Sequence, residues 1–172
     1  MLVQFMVKNV LSFRDETILD MTAISAYKEH PSHLIDIGIK EKYLRVAAIY
    51  GAHERGKSNL SLAMWSFQRI IAESLNNVDD GEPTAIEQFY VPFSFEENEE
   101  NSEFQIILLL GDFEYKYGFE YNKKCSVTEW LYRKKLANTS TSIIFERNTD
   151  HVKFGLPFQK SADANKQQVL GE

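Results

Sequence analysis

The chain is poor in cysteine, in long apolar runs and in positive charge, and each shortage removes a class of protein. A single cysteine, Cys125, among 172 residues leaves no internal disulfide framework and suits a reducing cytoplasm. No run approaches the roughly 18 apolar residues of a membrane-spanning helix, so no membrane association is expected. Residues 1–8 are interrupted at Gln4 and end on Lys8, unlike a secretory leader. The 25 acidic residues outnumber the 19 basic ones, for a formal charge of −6, which argues against a free-standing nucleic-acid binder with a basic face. The densest basic group, Arg133-Lys134-Lys135 with Lys123-Lys124 nearby, reads as the solvated end of a strand. There is no internal repeat and no G-x-S-x-G elbow. His30 and His33 have no Cys or second His pair beside them and read as a surface loop rather than a metal site. Cys125, next to Lys124, reads as an ordinary strand-end residue.

What the chain does have is one segment whose residue types make sense as chemistry. Residues 51–58, Gly-Ala-His-Glu-Arg-Gly-Lys-Ser, are a complete G-x-x-x-x-G-K-S phosphate loop. A chance match in a chain this long is an event on the order of one in a hundred at ordinary residue usage. In such a loop, backbone N–H groups at a helix N-terminus cradle polyphosphate, the Lys ammonium reaches the outer phosphates and the Ser hydroxyl helps hold Mg²⁺. Residues Gly51, Ala52, His53, Glu54, Arg55, Gly56, Lys57, Ser58 and Asn59 are therefore the candidate nucleotide site. Gly51, Gly56, Lys57 and Ser58 are its principal members, and Ser58 is the metal ligand.

The flanks supply the strand–loop–helix context that the motif needs. Residues 44–50 (Leu-Arg-Val-Ala-Ala-Ile-Tyr) read as a short buried strand ending on Gly51. From Lys57 to about Leu75, Leu60, Met64, Phe67, Ile70 or Ile71, and Leu75 recur at helical spacing and predict a core-facing stripe. Turn chemistry at Asn76-Asn77 and Asp79-Asp80-Gly81 ends that helix. Leu2–Lys8 reads as a strand with Val3, Phe5 and Val7 on one side, and residues 17–21 as a second. Residues 22–42 look like an irregular excursion. Downstream the pattern is β. Residues 89–95 read as an edge or bulged strand because of Pro92, and residues 96–102 as an acidic loop. Residues 104–110 and Phe113–Tyr121 flank Gly111-Asp112, the chemistry of a type II′ hairpin. Phe113, Tyr115, Tyr117, Phe119 and Tyr121 share one face, and the buried side of a sheet explains them better than base stacking. Residues 127–136, 141–145 and Val152–Phe154 continue the meander. Residues 1–155 form the domain and residues 156–172 a polar tail. The fold class expected is α+β.

With these segments in order, the chain resembles the N-terminal lobe of ABC-like ATPase heads. It looks closest to prokaryotic AAA-annotated ATP-binding proteins of abortive-infection and defence systems, and is more distantly similar to RecF and SMC heads. The likeness rests on residues 7–14 (Val-Lys-Asn-Val-Leu-Ser-Phe-Arg), on residues 48–60 around the phosphate loop, and on three sheet segments: 115–120, 129–132 and 144–147. It implies a P-loop NTPase fold, with the phosphate-loop strand and helix packed on a largely antiparallel β-subdomain. It implies ATP and Mg²⁺ as ligands and a second head or C-terminal lobe as partner. It leaves DNA open as a further partner, with no residue here to support one. It also places Asn9, Ser12 and Arg14 near base or ribose.

The resemblance has limits. The second acidic motif, the signature motif and the switch His of that family have no match. The nearest imitation of the acidic strand ends at Asp112, which its Gly-Asp context makes a turn residue. Family loops carry small residues or Asn where this chain has His53, Glu54 and Arg55. A Glu54 carboxylate about 6 Å from a phosphate would be repelled by about 3 kcal/mol at an effective dielectric of 20, unless Arg55 offsets it. Hydrolysis is thus expected only with a complementing lobe. The other reading left open is a degenerate lobe acting as a non-enzymatic interaction module. A small stand-alone kinase or GTPase would need a second acidic strand and a base-specificity motif, and neither is found.

Overall fold

Period-two alternation places nine segments of the described chain in strands, and the long period-3.6 stretch becomes the longer of its two helices. A computed structural model describes residues 1–26, 29–52, 56–74, 83–95, 100–138, 140–156 and 158–159. The strands are β1 (Leu2–Lys8), β2 (Thr17–Asp20), β3 (Leu34–Asp36), β4 (Lys42–Leu44), β5 (Ser102–Leu110), β6 (Phe113–Tyr121), β7 (Ser126–Lys135), β8 (Thr141–Asn148) and β9 (Val152–Phe154). The helices are α1 (Lys57–Glu73) and α2 (Ala85–Phe89). Seven strands form one antiparallel sheet in the order β2-β1-β5-β6-β7-β8-β9, and β3 pairs with β4 in a separate hairpin. The class is α+β, as expected.

The core lies between α1 and the centre of the sheet. Ala63, Phe67 and Ile70 from α1 are buried against Phe5 and Val7 of β1, Phe104 of β5, and Phe119 and Tyr121 of β6. Phe67 is the hub: its ring lies 5.7 Å from those of Phe5 and Phe104 and stacks on Phe119 at 5.8 Å. The predicted stripe is therefore in place, with Leu60, Met64 and Ile71 half-buried at its margins; Leu75 lies outside the described residues. The β6 aromatic row is core at Tyr117, Phe119 and Tyr121. Gly111 has φ +56, and Leu110 pairs with Phe113 across the two-residue loop, the geometry that Gly at the first turn position permits. Asp112 is a turn residue whose carbonyl accepts a bond from the Leu136 N–H at 2.9 Å.

Four expectations are corrected. First, β1 carries a bulge between Leu2 and Gln4. The extra residue moves Val3 to the opposite face, where it packs with Tyr43 and Leu109, because side chains change face at each step of a strand. Second, residues 22–42 are not wholly irregular: they hold β3 and the turn into β4, and Ile35, Ile37 and Ile39 help cover that second face. Third, residues 89–95 do not form a strand. Helix α2 occupies residues 85–89, started by a capping box in which Thr84 Oγ accepts from the Glu87 N–H at 3.2 Å and Glu87 Oε2 accepts from the Thr84 N–H at 2.8 Å. Fourth, only the first residue of the 44–50 segment is in a strand. Among the described residues, 46–50 make no backbone hydrogen bond, and Val46 and Tyr50 are 72% and 90% exposed. An apolar run with side chains on both faces needs neighbours on both sides, and none of the nine strands lies beside it.

The turn expected at residues 76–81 and the tail beyond residue 159 fall outside the described residues, as does most of the acidic loop at residues 96–102. No helix among the described residues is long and apolar enough to cross a membrane.

Two measurements check this packing. Phe67→Ala should cost about 3–5 kcal/mol in chemical denaturation, the usual range for emptying a large aromatic site; a loss under 1 kcal/mol would contradict the hub role. Glu103 sits directly across from Glu120, and burial first, then Glu120, raises its pKa. A carboxyl raised in the folded state binds more protons there than in the unfolded chain, so stability falls as pH rises through that window. Glu103→Gln should therefore be more stable than wild type at neutral pH, and the gain should vanish below the ordinary Glu range. Denaturation midpoints across pH 3–8 test the sign.

Candidate functional site

The phosphate loop leads into α1 through Gly56, whose backbone is left-handed at φ 80° and ψ 3°. Glycine adopts this without a steric penalty. The helix begins abruptly: Gly56 provides no side-chain cap, and the first intrahelical bond runs from the Leu60 N–H to the Gly56 carbonyl at 3.2 Å. The amides of Lys57, Ser58 and Asn59 are thus among those that a helix cannot satisfy internally. They sit at the positive end of a 17-residue helix.

Lys57 folds back over this end. Its ammonium donates to the Gly51 carbonyl at 2.7 Å and to the Ala52 carbonyl at 2.5 Å. These two bonds tie Gly51 and Ala52 to the start of the helix. Beside them is a cavity of about 430 Å³, lined by Phe13, Ile49, Tyr50, Gly51, Ala52, Gly56, Lys57 and Leu60. Its lining combines the Lys57 side chain and the Gly51, Ala52 and Gly56 residues with apolar and aromatic residues, Phe13, Ile49, Tyr50 and Leu60. Such a cavity suits a ligand that joins an anion to a flat ring.

The candidate residues divide as follows. Gly51, Ala52, Gly56 and Lys57 line the cavity. Ser58 is exposed and Asn59 half-buried on the first turn of α1, and neither is among the lining residues. His53, Glu54 and Arg55 lie outside the described residues. A magnesium ion at this site would find one hydroxyl, Ser58, and oxygens of its own phosphates; no group of three or more His, Cys, Asp or Glu side chains suited to a metal occurs among the described residues. That donor set fits a magnesium ion delivered with phosphate, which keeps most of its ligands from phosphate and water.

Of the residues placed near base or ribose, Ser12 stands against the loop: its hydroxyl lies 3.0 Å from where a Cβ on Gly56 would stand. Asn9 is instead buried in the protein's own hydrogen bonds, donating from Nδ2 to the Glu100 carbonyl at 2.7 Å and accepting from the Phe93 N–H at 3.0 Å. Its side chain is spent on structure, and the ligand role is withdrawn. The Arg14 carbonyl accepts from the Asn9 N–H at 3.1 Å. The aromatic wall of Phe13 and Tyr50 was not anticipated. The position of Tyr50 directly before Gly51 was the available signal.

Other singled-out groups lie elsewhere. The His30 and His33 rings stack 5.2 Å apart. Cys125 is half-buried in a turn organised by Asn122 Oδ1, which accepts from the Lys124 and Cys125 N–H groups. Arg133 lies 4.7 Å from the centre of the Phe113 ring, a cation–π contact. A larger cavity, about 490 Å³, lies between residues 22–25 and the β3–β4 hairpin; none of the phosphate-loop residues lines it.

No protein-family model matches the chain, and no curated protein matches it either.

The loop geometry predicts that Gly56 is irreplaceable. Gly56→Ala places a Cβ against Ser12 Oγ in a left-handed backbone, and should lower stability by about 1–2 kcal/mol. Adding Ser12→Ala should recover the steric part and not the backbone part. Urea denaturation of the two variants checks both; wild-type stability for Gly56→Ala would show that the loop has another conformation available.

Proposed function

We propose that residues 51–59 form the phosphate site of an ATP·Mg²⁺-binding lobe, cytoplasmic and of the P-loop, ABC-like type that serves defence or DNA transactions. The observation that carries the reading is the Lys57 ammonium, held on the Gly51 and Ala52 carbonyls at the bare N-terminus of α1. The amides of Lys57, Ser58 and Asn59 offer hydrogen bonds to β-phosphate oxygens, and Lys57 neutralises the outer phosphates. Ser58 contributes its hydroxyl to the metal. Mg²⁺, when bound with the nucleotide, supplies further neutralisation of phosphate charge. Phe13 and Tyr50 provide an apolar wall for the rest of the ligand.

Binding and turnover separate in this reading. No acidic side chain is among the described residues lining the cavity, and in this reading the carboxylate that would orient an attacking water comes from a complementing lobe or a second head. The unpaired apolar segment 46–50, ending on Gly51, is where such a lobe would add its strands. The same exposed segment also favours a second reading, a non-enzymatic interaction module in which His53, Glu54 and Arg55 have disabled the loop.

Titration calorimetry with Mg²⁺ and a slowly hydrolysed ATP analogue distinguishes the two. Wild type should bind, and Lys57→Ala should weaken binding about 10–100-fold, the cost of a lost charge-assisted contact. Absence of any Lys57-dependent heat at millimolar ligand would leave the interaction module standing. The chain by itself should show no ATP turnover; robust hydrolysis by wild type and not by Lys57→Ala would overturn the need for a complementing lobe.

A further inference from the structure

The turn that follows β1 connects the phosphate loop to the far side of the domain. Val10 and Phe13 exchange 2.9 Å backbone bonds around the two-residue loop Leu11-Ser12. Asn9 and Leu11 are both left-handed, at φ 50° and 55°. Asn tolerates this region, but a bulky side chain such as Leu seldom enters it, and it persists there only where its surroundings impose it. Those surroundings are specific. The Leu11 N–H donates to the Val91 carbonyl at 2.8 Å. The Asn9 carbonyl accepts from Ser102 Oγ at 2.6 Å, while its side-chain amide bridges the Phe93 N–H and the Glu100 carbonyl. The turn so fixed presents Ser12 to Gly56 and Phe13 to the cavity.

We propose that Asn9 is a positioning residue of the phosphate loop and that Ser12 is the contact through which it acts. Asn9 ties the Val10–Phe13 turn to Phe93, Glu100 and Ser102. The turn then braces Gly56 and gives the α1 amides and the Lys57 ammonium one orientation. Displacement of Phe93, Glu100 or Ser102 is thereby transmitted to Gly56. The inference rests on the nucleotide-binding reading for its affinity readout, but not for its structural one.

Asn9→Gly isolates the side-chain bonds, because Gly keeps the left-handed backbone. Wild type, Lys57→Ala, Asn9→Gly, Ser12→Ala and the Asn9/Ser12 double variant are titrated with a fluorescent methylanthraniloyl-ATP and Mg²⁺, well below each melting temperature. Asn9→Gly should weaken binding about tenfold, the worth of one ordering hydrogen bond. Ser12→Ala should weaken it to a similar extent, and the double variant no more than either single variant, because both act along one route. In parallel, Asn9→Gly should speed amide hydrogen exchange at Leu60, whose N–H bonds the Gly56 carbonyl, and leave the last turn of α1 unchanged. If wild type shows no Lys57-dependent binding, the nucleotide reading fails while the exchange result still decides the brace. Unchanged exchange at Leu60, or additive losses in the double variant, overturns the proposal. Ser102→Ala, which removes one strut only, replaces Asn9→Gly should that variant not fold.

Discussion

Everything at the phosphate loop depends on the packing of Phe67. Its ring meets Phe5, Phe104 and Phe119, so three strands distant in sequence converge on one residue of α1. A ring among rings contributes both buried area and edge-to-face contact, and it sets the azimuth as well as the height of the helix on the sheet. The N-terminus of α1 has no side-chain cap to locate it. Its position is inherited from contacts about three turns downstream on the same rigid rod.

The sheet extends well beyond the helix. Helix α1 covers β1, β5 and β6, while β7, β8 and β9 are joined by polar cross-links on each face. On one face Tyr117 donates to Glu129, which is paired with Arg147 at 2.8 Å. On the other Tyr132 donates to Glu146, which is paired with Lys153 at 3.2 Å. Burial first, and then its carboxylate neighbour Glu146, pushes the Tyr132 hydroxyl up to about 12; it remains a donor throughout the physiological range. Half-exposed strands held this way need less apolar cover than the centre. The outer strands are held by these cross-links, and Tyr117, Phe119 and Tyr121 of the aromatic row belong to the core.

Legibility followed the range of the interaction. The α1 stripe, the Gly111-Asp112 hairpin and most strands of the large sheet are encoded in neighbouring residues, and they came out as read. Thr84 and Glu87 carry the capping-box pattern of a helix start, whereas the apolar run around Pro92 carries the composition of an edge strand without a partner to pair with. The Val3 bulge left no local mark, since alternation through Val3, Phe5 and Val7 looks regular until β5 sets the register. Asn9 has a donor, an acceptor and a tolerance of left-handed backbone, so its type alone fits a ligand site as well as a structural strut. Only the approach of Phe93, Glu100 and Ser102, more than eighty residues away, decides between them.

The sequence by itself determined that this is an α+β chain with a phosphate-loop motif opening a helix, because residue type, spacing and helical period are local properties. Tertiary structure alone decided that Lys57 closes on Gly51 and Ala52, that Ser12 stands against Gly56 and that Asn9 is a strut. It also decided that residues 46–50 find no partner among the described strands. Hydrophobicity specifies that an apolar segment should be buried, whereas the strand that would bury it is specified only by what the folded chain brings alongside.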